Sequence, residues 1–206
     1  MKSLYLLVNL FTILVPFIFS FHPKIRFHKT WTSFFPAVMI VAFLFIAWDV
    51  FFTRMGVWSF NPAYVTGYYF WNLPIEEVLF FICIPFACVF TYFCLDKFYD
   101  LRWKEHREKR FAVFFALFLL AMGIIFRDRW YTAASFISTA LVIFLLVFIA
   151  KVNWFGKSVT VYAILLLPFF IVNGILTGAG LEEPVVSYNN DENLGLRILT
   201  IPVEDS

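Results

Sequence analysis

Six apolar runs, at 4–21, 36–52, 75–95, 111–126, 132–150 and 159–177, alternate with short polar or aromatic connections, and each is apolar on every face. Strands of a membrane barrel would alternate apolar and polar positions, so this pattern predicts α-helices. A bilayer core about 30 Å thick takes about 20 helical residues, with a range of about 17 to 25. The shortest run, 111–126, still reads as a span because its basic flanks can snorkel. The expected fold is all-α, a polytopic transmembrane helical bundle with six spans. Composition agrees: 62% of the 206 residues are hydrophobic, 22% aromatic and only 15% charged, and the mean hydropathy is +0.83, far from a water-soluble balance. After the first run comes the basic stretch FHPKIRFHK and no small-residue cleavage site, so the run is read as a retained span.

The net charge of +2 says little, but its distribution sets an orientation. Lys24, Arg26, Lys29, Lys97, Arg102, Lys104, Arg107, Lys109, Arg110, Lys151 and Lys157 follow the first, third and fifth runs; only Lys2, Arg54, Arg127, Arg129 and Arg197 lie on the other side. Because Lys and Arg accumulate on the cytoplasmic side, the N-terminus and the two long acidic, aromatic loops are expected to face away from the cytoplasm. A bacterial inner membrane is the expected location. Cys83, Cys88 and Cys94 share one predicted helix and point in different directions, which suits packing better than a disulfide or a metal.

An internal repeat adds a second level of organisation. FNPAYVTGYYFWNLPIEE (60–77) lies over YNNDENLGLRILTIPVED (188–205) at an offset of 128 residues, sharing N-x5-G-x6-P-x-E-[ED] without a gap. Asn61 meets Asn189, Gly67 meets Gly195, Pro74 meets Pro202, Glu76 meets Glu204 and Glu77 meets Asp205. An offset of four helices preserves direction, so the chain is expected to hold two parallel three-helix repeats, 1–95 and 132–206, joined by a connector region at 96–131. This scheme expects the second motif to open a seventh helix beyond Ser206.

The plain explanation of Pro-x-Glu-Glu is a helix start, where proline fits the first turn and carboxylates favour the positive end of the helix dipole. Two copies in register, each preceded by the same Asn and Gly, point beyond capping, and ionisable groups at membrane depth mark functional sites. Adjacent helical residues diverge by about 100°, so one carboxyl of each pair can face a cavity while its neighbour anchors to another helix. Two opposed carboxylates in a poorly hydrated pocket separate into an acid and a base. A substrate for such a pair must itself be lipid-soluble, which suggests an alkene and a carbocation. Trp58, Tyr64, Tyr68, Tyr69, Phe70 and Trp71 offer aromatic faces for a cation, although aromatics also gather at membrane interfaces.

The stretches WDVFFTRMGVWSFNPAYVTGYYFWNLPIEEVLFF (48–81) and PVVSYNNDENLGLRILTIPVED (184–205) resemble the integral-membrane lycopene cyclases of the heterodimeric type. That group takes in two-subunit bacterial enzymes, fused single-chain forms and the cyclase domain of fungal bifunctional carotenoid enzymes. The resemblance implies a redox-neutral conversion of the ψ-ends of lycopene to β-rings, giving γ-carotene and then β-carotene. It implies Glu76, Glu77, Glu204 and Asp205 as the acid–base set, with the acid and the base unassigned. Asp49, Asn61, Asn189, Tyr64, Tyr68 and Trp71 are candidates for substrate contact or for holding loops and carboxyls, and for the Asn and Asp residues loop capping or interhelical bonding is an equal alternative. The expected partners are a lipophilic carotenoid and the bilayer, not nucleic acid; assembly with a second copy stays open.

No glycine-rich nucleotide fingerprint is present, so no flavin or other cofactor is expected. Every lysine lies away from mid-span, which disfavours a retinal Schiff base. Asp96 and Asp100 fall in a charged loop, better read as a solvated face than as a magnesium-diphosphate site. His22, His28 and His106 lie on the basic side, away from the carboxylates, so no metal site is expected. The alternative function is a transporter or ion pathway built on intramembrane carboxylates.

Overall fold

The computed structural model describes residues 2–206, and all six predicted runs are helical. They form α1 (Leu4–Phe19), α2 (Trp31–Met55), α3 (Ile75–Phe98), α4 (Glu105–Ile125), α5 (Trp130–Phe144) and α6 (Phe155–Leu176). Four stretches are long and apolar enough to cross a membrane: Phe27–Met55, Ile75–Phe98, Trp130–Ile149 and Phe155–Leu176. The 16-residue α1 is shorter, and α4 opens with a charged turn in which Lys109 pairs with Glu105 at 2.6 Å. Helix α2 starts five residues ahead of the expected Pro36, which is accommodated inside it. Helix α5 continues as a five-residue π-turn, Leu145–Ile149.

The chain divides into two compact units. The first comprises residues 1–98 and 168–188. In it α1 and α2 pack on α3, around a core of Phe27, Phe34, Val38, Phe86 and Phe90. Edge-to-face aromatic pairs dominate: Phe27 meets Phe86 at 5.5 Å and Phe34 meets Phe86 at 5.5 Å, the geometry that ring quadrupoles favour. Helix α2 ends on Gly56, whose φ of 76° suits a left-handed cap. The chain then forms β1 (Trp58–Phe60), which pairs antiparallel with β4 (Val186–Tyr188) in the register Trp58↔Tyr188, Ser59↔Ser187, Phe60↔Val186. A small hairpin of β2 (Tyr69–Phe70) and β3 (Leu73–Pro74) leads directly into α3.

The second unit comprises residues 99–167 and 189–206. Helices α4 and α5 pack closely, because Gly123 leaves room for Ile137: a Cβ at Gly123 would stand 2.7 Å from its Cγ1. Ala112, Leu119, Ala140, Ile143, Val147 and Phe155 form the core. A second hairpin, β5 (Arg197–Ile198) with β6 (Ile201–Pro202), ends in a 3-10 turn, Val203–Asp205.

The cores are apolar, but the exterior is unlike that of a water-soluble protein. Phe11, Phe43, Phe114 and Leu167 are strongly exposed, whereas Asn9, Asp49, Glu76, Glu77, Thr132 and Asn193 are buried. An apolar exterior of this extent fits a lipid environment.

Candidate active site

The first acidic corner is built by the hairpin that precedes α3. Gly67 adopts a φ of 92°, a conformation open to glycine without steric cost. Trp71 turns the hairpin with a φ of 55°. The amide of Ile75 donates to the carbonyl of Tyr68 at 2.9 Å, so the helix starts immediately behind Pro74 and presents Glu76 and Glu77 in its first turn. Glu76 is 0% exposed. Its Oε1 accepts the amide N–H of Thr66 at 2.7 Å, and its backbone carbonyl accepts Asn9 Nδ2 at 2.7 Å. Its Oε2 is buried without a hydrogen-bond partner among the described residues. Glu77 accepts the hydroxyl of Tyr5 on Oε2 at 2.5 Å. Tyr5 is itself fixed from α1 by its amide, which donates to the carbonyl of Tyr64 at 3.2 Å.

Asp49 extends this corner. It is 3% exposed, accepts a hydrogen bond from the Trp58 side chain, and leaves Oδ2 without a partner among the described residues. Trp58 stacks on Phe52 at 5.3 Å, and Phe52 stacks on Trp48 at 4.6 Å. Asp49, Glu76 and Glu77 are thus three buried carboxyls in the one unit that holds Tyr5.

The second corner repeats this construction at positions 128 residues on. Gly195 has a φ of 70° and Leu199 a φ of 60°, and the amide of Val203 donates to the carbonyl of Leu196 at 3.1 Å. Glu204 Oε1 accepts the amide of Leu194 at 2.7 Å and the hydroxyl of Thr132 at 2.5 Å. Its Oε2, like that of Glu76, is buried without a partner among the described residues. The hydroxyl of Tyr131 donates to Asp205 Oδ1, and the Tyr131 amide donates to the carbonyl of Glu192 at 3.0 Å. Arg129 Nη1 braces the loop by donating to the carbonyls of Asn190 and Asn193.

The remaining predicted residues shape the loops. Asn61 accepts the amide of Ala63 on Oδ1 at 2.9 Å and donates to Glu183 Oε2 at 2.8 Å. Asn189 accepts the amide of Asp191 at 3.1 Å. These are Asx turns, in which the side chain replaces a backbone partner. Tyr64 contributes its carbonyl to Tyr5. Tyr68 and Trp71 are 75% and 77% exposed at the hairpin, so their rings are turned out from the buried carboxyl of Glu76.

Sequence reasoning passed over Tyr5, Asn9, Tyr131 and Thr132. A signal was present: each tyrosine stands at the start of an apolar run, where a hydroxyl that must be buried needs an acceptor. The offset concealed it, because Tyr5 and Tyr131 are 126 residues apart and the motifs are 128 apart.

A helical protein with an apolar exterior and two carboxyl corners, the first buried and the second partly so, is thereby defined, with four helices able to cross a membrane. A family model described as Lycopene cyclase matches residues 2–95 and 128–206. The chain belongs to the lycopene cyclase family. The match leaves out residues 96–127, the charged loop and all of α4. Comparison with curated proteins and with solved structures gave no match.

Proposed function

We propose that the protein is a lycopene β-cyclase that closes the ψ-ends of a linear carotenoid by acid–base catalysis, with Glu76, Glu77, Glu204 and Asp205 supplying the carboxyl groups. A carboxylic acid adds its proton to the terminal C=C bond and generates a tertiary carbocation. The neighbouring double bond attacks that cation and forms the ring C–C bond. A carboxylate then takes a ring proton, and the electron pair of the broken C–H bond becomes the ring double bond. One proton enters and one leaves, so the product is an isomer of the substrate and no oxidant or reductant is consumed.

One observation carries this reading: in both corners the first carboxyl is anchored by a loop amide on Oε1 while Oε2 lies buried and unpartnered. An anchored carboxyl in a dry setting can hold a proton at a defined atom and transfer it without solvent competition. The stacked Trp48, Phe52 and Trp58 rings beside Asp49 add polarisable faces suited to a developing cation. The matching hydrogen bonds at 128-residue spacing support a duplicated origin for 1–95 and 132–206, and the charge asymmetry supports an inner-membrane protein whose N-terminus faces away from the cytoplasm.

The test is expression in a lycopene-accumulating bacterium with pigment analysis by absorbance and chromatography. Conversion to γ-carotene and β-carotene is expected. Unchanged lycopene in cells whose membranes contain the inserted protein would overturn the reading, and would favour a transport role for the carboxylates.

A further inference from the structure

We infer that Tyr5 and Tyr131 are positioning residues for the cyclisation, each fixing the second carboxyl of its corner, Glu77 or Asp205, through its phenol hydroxyl. The inference rests on the cyclase reading and adds two residues from outside the acidic motifs.

The argument starts from how each ring is held. Tyr5 sits in the first turns of α1 and Tyr131 in the first turn of α5. Both are buried. Each donates its amide to a carbonyl in the loop ahead of its motif, that of Tyr64 or Glu192, so the origin of each side chain is fixed to the loop that carries the carboxyls. Each then donates its hydroxyl to the second acidic residue of the pair. Aligned strictly at the motif offset, Tyr5 would correspond to Ala133. The helix and the motif are thus shifted by two residues between the halves, and the phenol–carboxyl contact survives that shift. It also survives a change of acceptor, from Glu77 to the shorter Asp205. A contact kept through two changes of context is what a requirement on the carboxyl's position would produce.

The chemistry fits the contact. A carboxyl side chain in a spacious setting samples several rotamers, and proton transfer to a carbon atom demands one of them. A buried phenol donating to one oxygen selects the plane of the carboxyl group and removes that freedom. Tyrosine does so without bringing a cation, which would compete with the carbocation for the carboxylate.

The experiment uses purified full-length protein in lipid nanodiscs with lycopene as substrate. Tyr5→Phe and Tyr131→Phe keep each ring and delete only the hydroxyl. The expected result is a fall in kcat of at least about tenfold in at least one variant, the scale of a lost hydrogen bond to a charged group, with KM unchanged and at most a small fall in the thermal midpoint. In a Glu77→Gln background, Tyr5→Phe is expected to cause no further loss, because the tyrosine acts through that carboxyl. Wild-type kcat in both phenylalanine variants would overturn the inference. So would a loss of activity that tracks a lowered thermal midpoint and recurs undiminished in the Glu77→Gln background, since that is the behaviour of a structural strut. Full activity in both Glu77→Gln and Asp205→Asn would instead remove the underlying site assignment.

Discussion

The two acidic corners share one construction and differ in how their carboxyls are supported. In the first, Glu76 Oε1 receives the amide of Thr66, and Asp49 is a further buried carboxyl in the same unit. In the second, Glu204 Oε1 receives an amide and the hydroxyl of Thr132, and Arg129 holds the surrounding loop. The first unit therefore buries three acids, while the second gives the first acid of its motif two donors. Donors satisfy a carboxylate, and a like-charged neighbour does not. The comparison teaches that a repeated motif need not mean two interchangeable sites.

The sharpest way to break the comparison is to neutralise the second acid of each pair. Glu77→Gln and Asp205→Asn are each expected to lower cyclisation about a hundredfold or more, the range for a lost general acid or base, with normal membrane insertion. Equal activity of both variants to the parent, measured by pigment conversion, would separate the motif from the reaction. Next in size is the effect on folding at the first acid. Glu76→Ala strips the Thr66 amide of its acceptor and is expected to cost about 1–3 kcal/mol, read as a lowered unfolding midpoint in detergent. Glu76→Gln keeps an acceptor oxygen for that amide, so it is expected to lose activity while retaining much of this stability. A smaller effect isolates the second corner: Thr132→Val removes the hydroxyl that Glu204 accepts and is expected to cost about 1 kcal/mol in the same unfolding measurement.

The smallest effect is expected far from both corners. The side chain of Arg102 hydrogen-bonds Asp100 and holds its carboxyl down at about 2, but the pair is exposed and solvent screens it. Whatever the pair contributes is complete above the ordinary carboxylate range near 4 and fades only as the pH falls toward about 2. Arg102→Ala is expected to leave both the thermal midpoint and pigment conversion unchanged at neutral pH.

Much of this architecture was legible in the residues. The apolar runs located all six helices because a span in lipid must satisfy its backbone internally. The acidic corners were legible because Gly67, Gly195, Pro74 and Pro202 fix turn geometry locally, so an ungapped pattern carries over into matching loops. Elements made by distant partners were hidden. The strands β1 and β4 are three residues each and pair across more than a hundred positions; neither has a local signature. The π-turn at Leu145–Ile149 falls inside an unbroken apolar run. Trp71 and Tyr68 offered aromatic faces by composition, but how exposed a side chain stands at a hairpin depends on backbone torsions that composition does not encode.

The pairing of β1 with β4 sets an order of events during synthesis. Trp58–Phe60 leaves the ribosome long before Val186–Tyr188 exists, and at about 5–20 residues per second the interval is on the order of ten seconds. Throughout it, the backbone groups that β1 later shares with β4 must be met by water or by a transient partner.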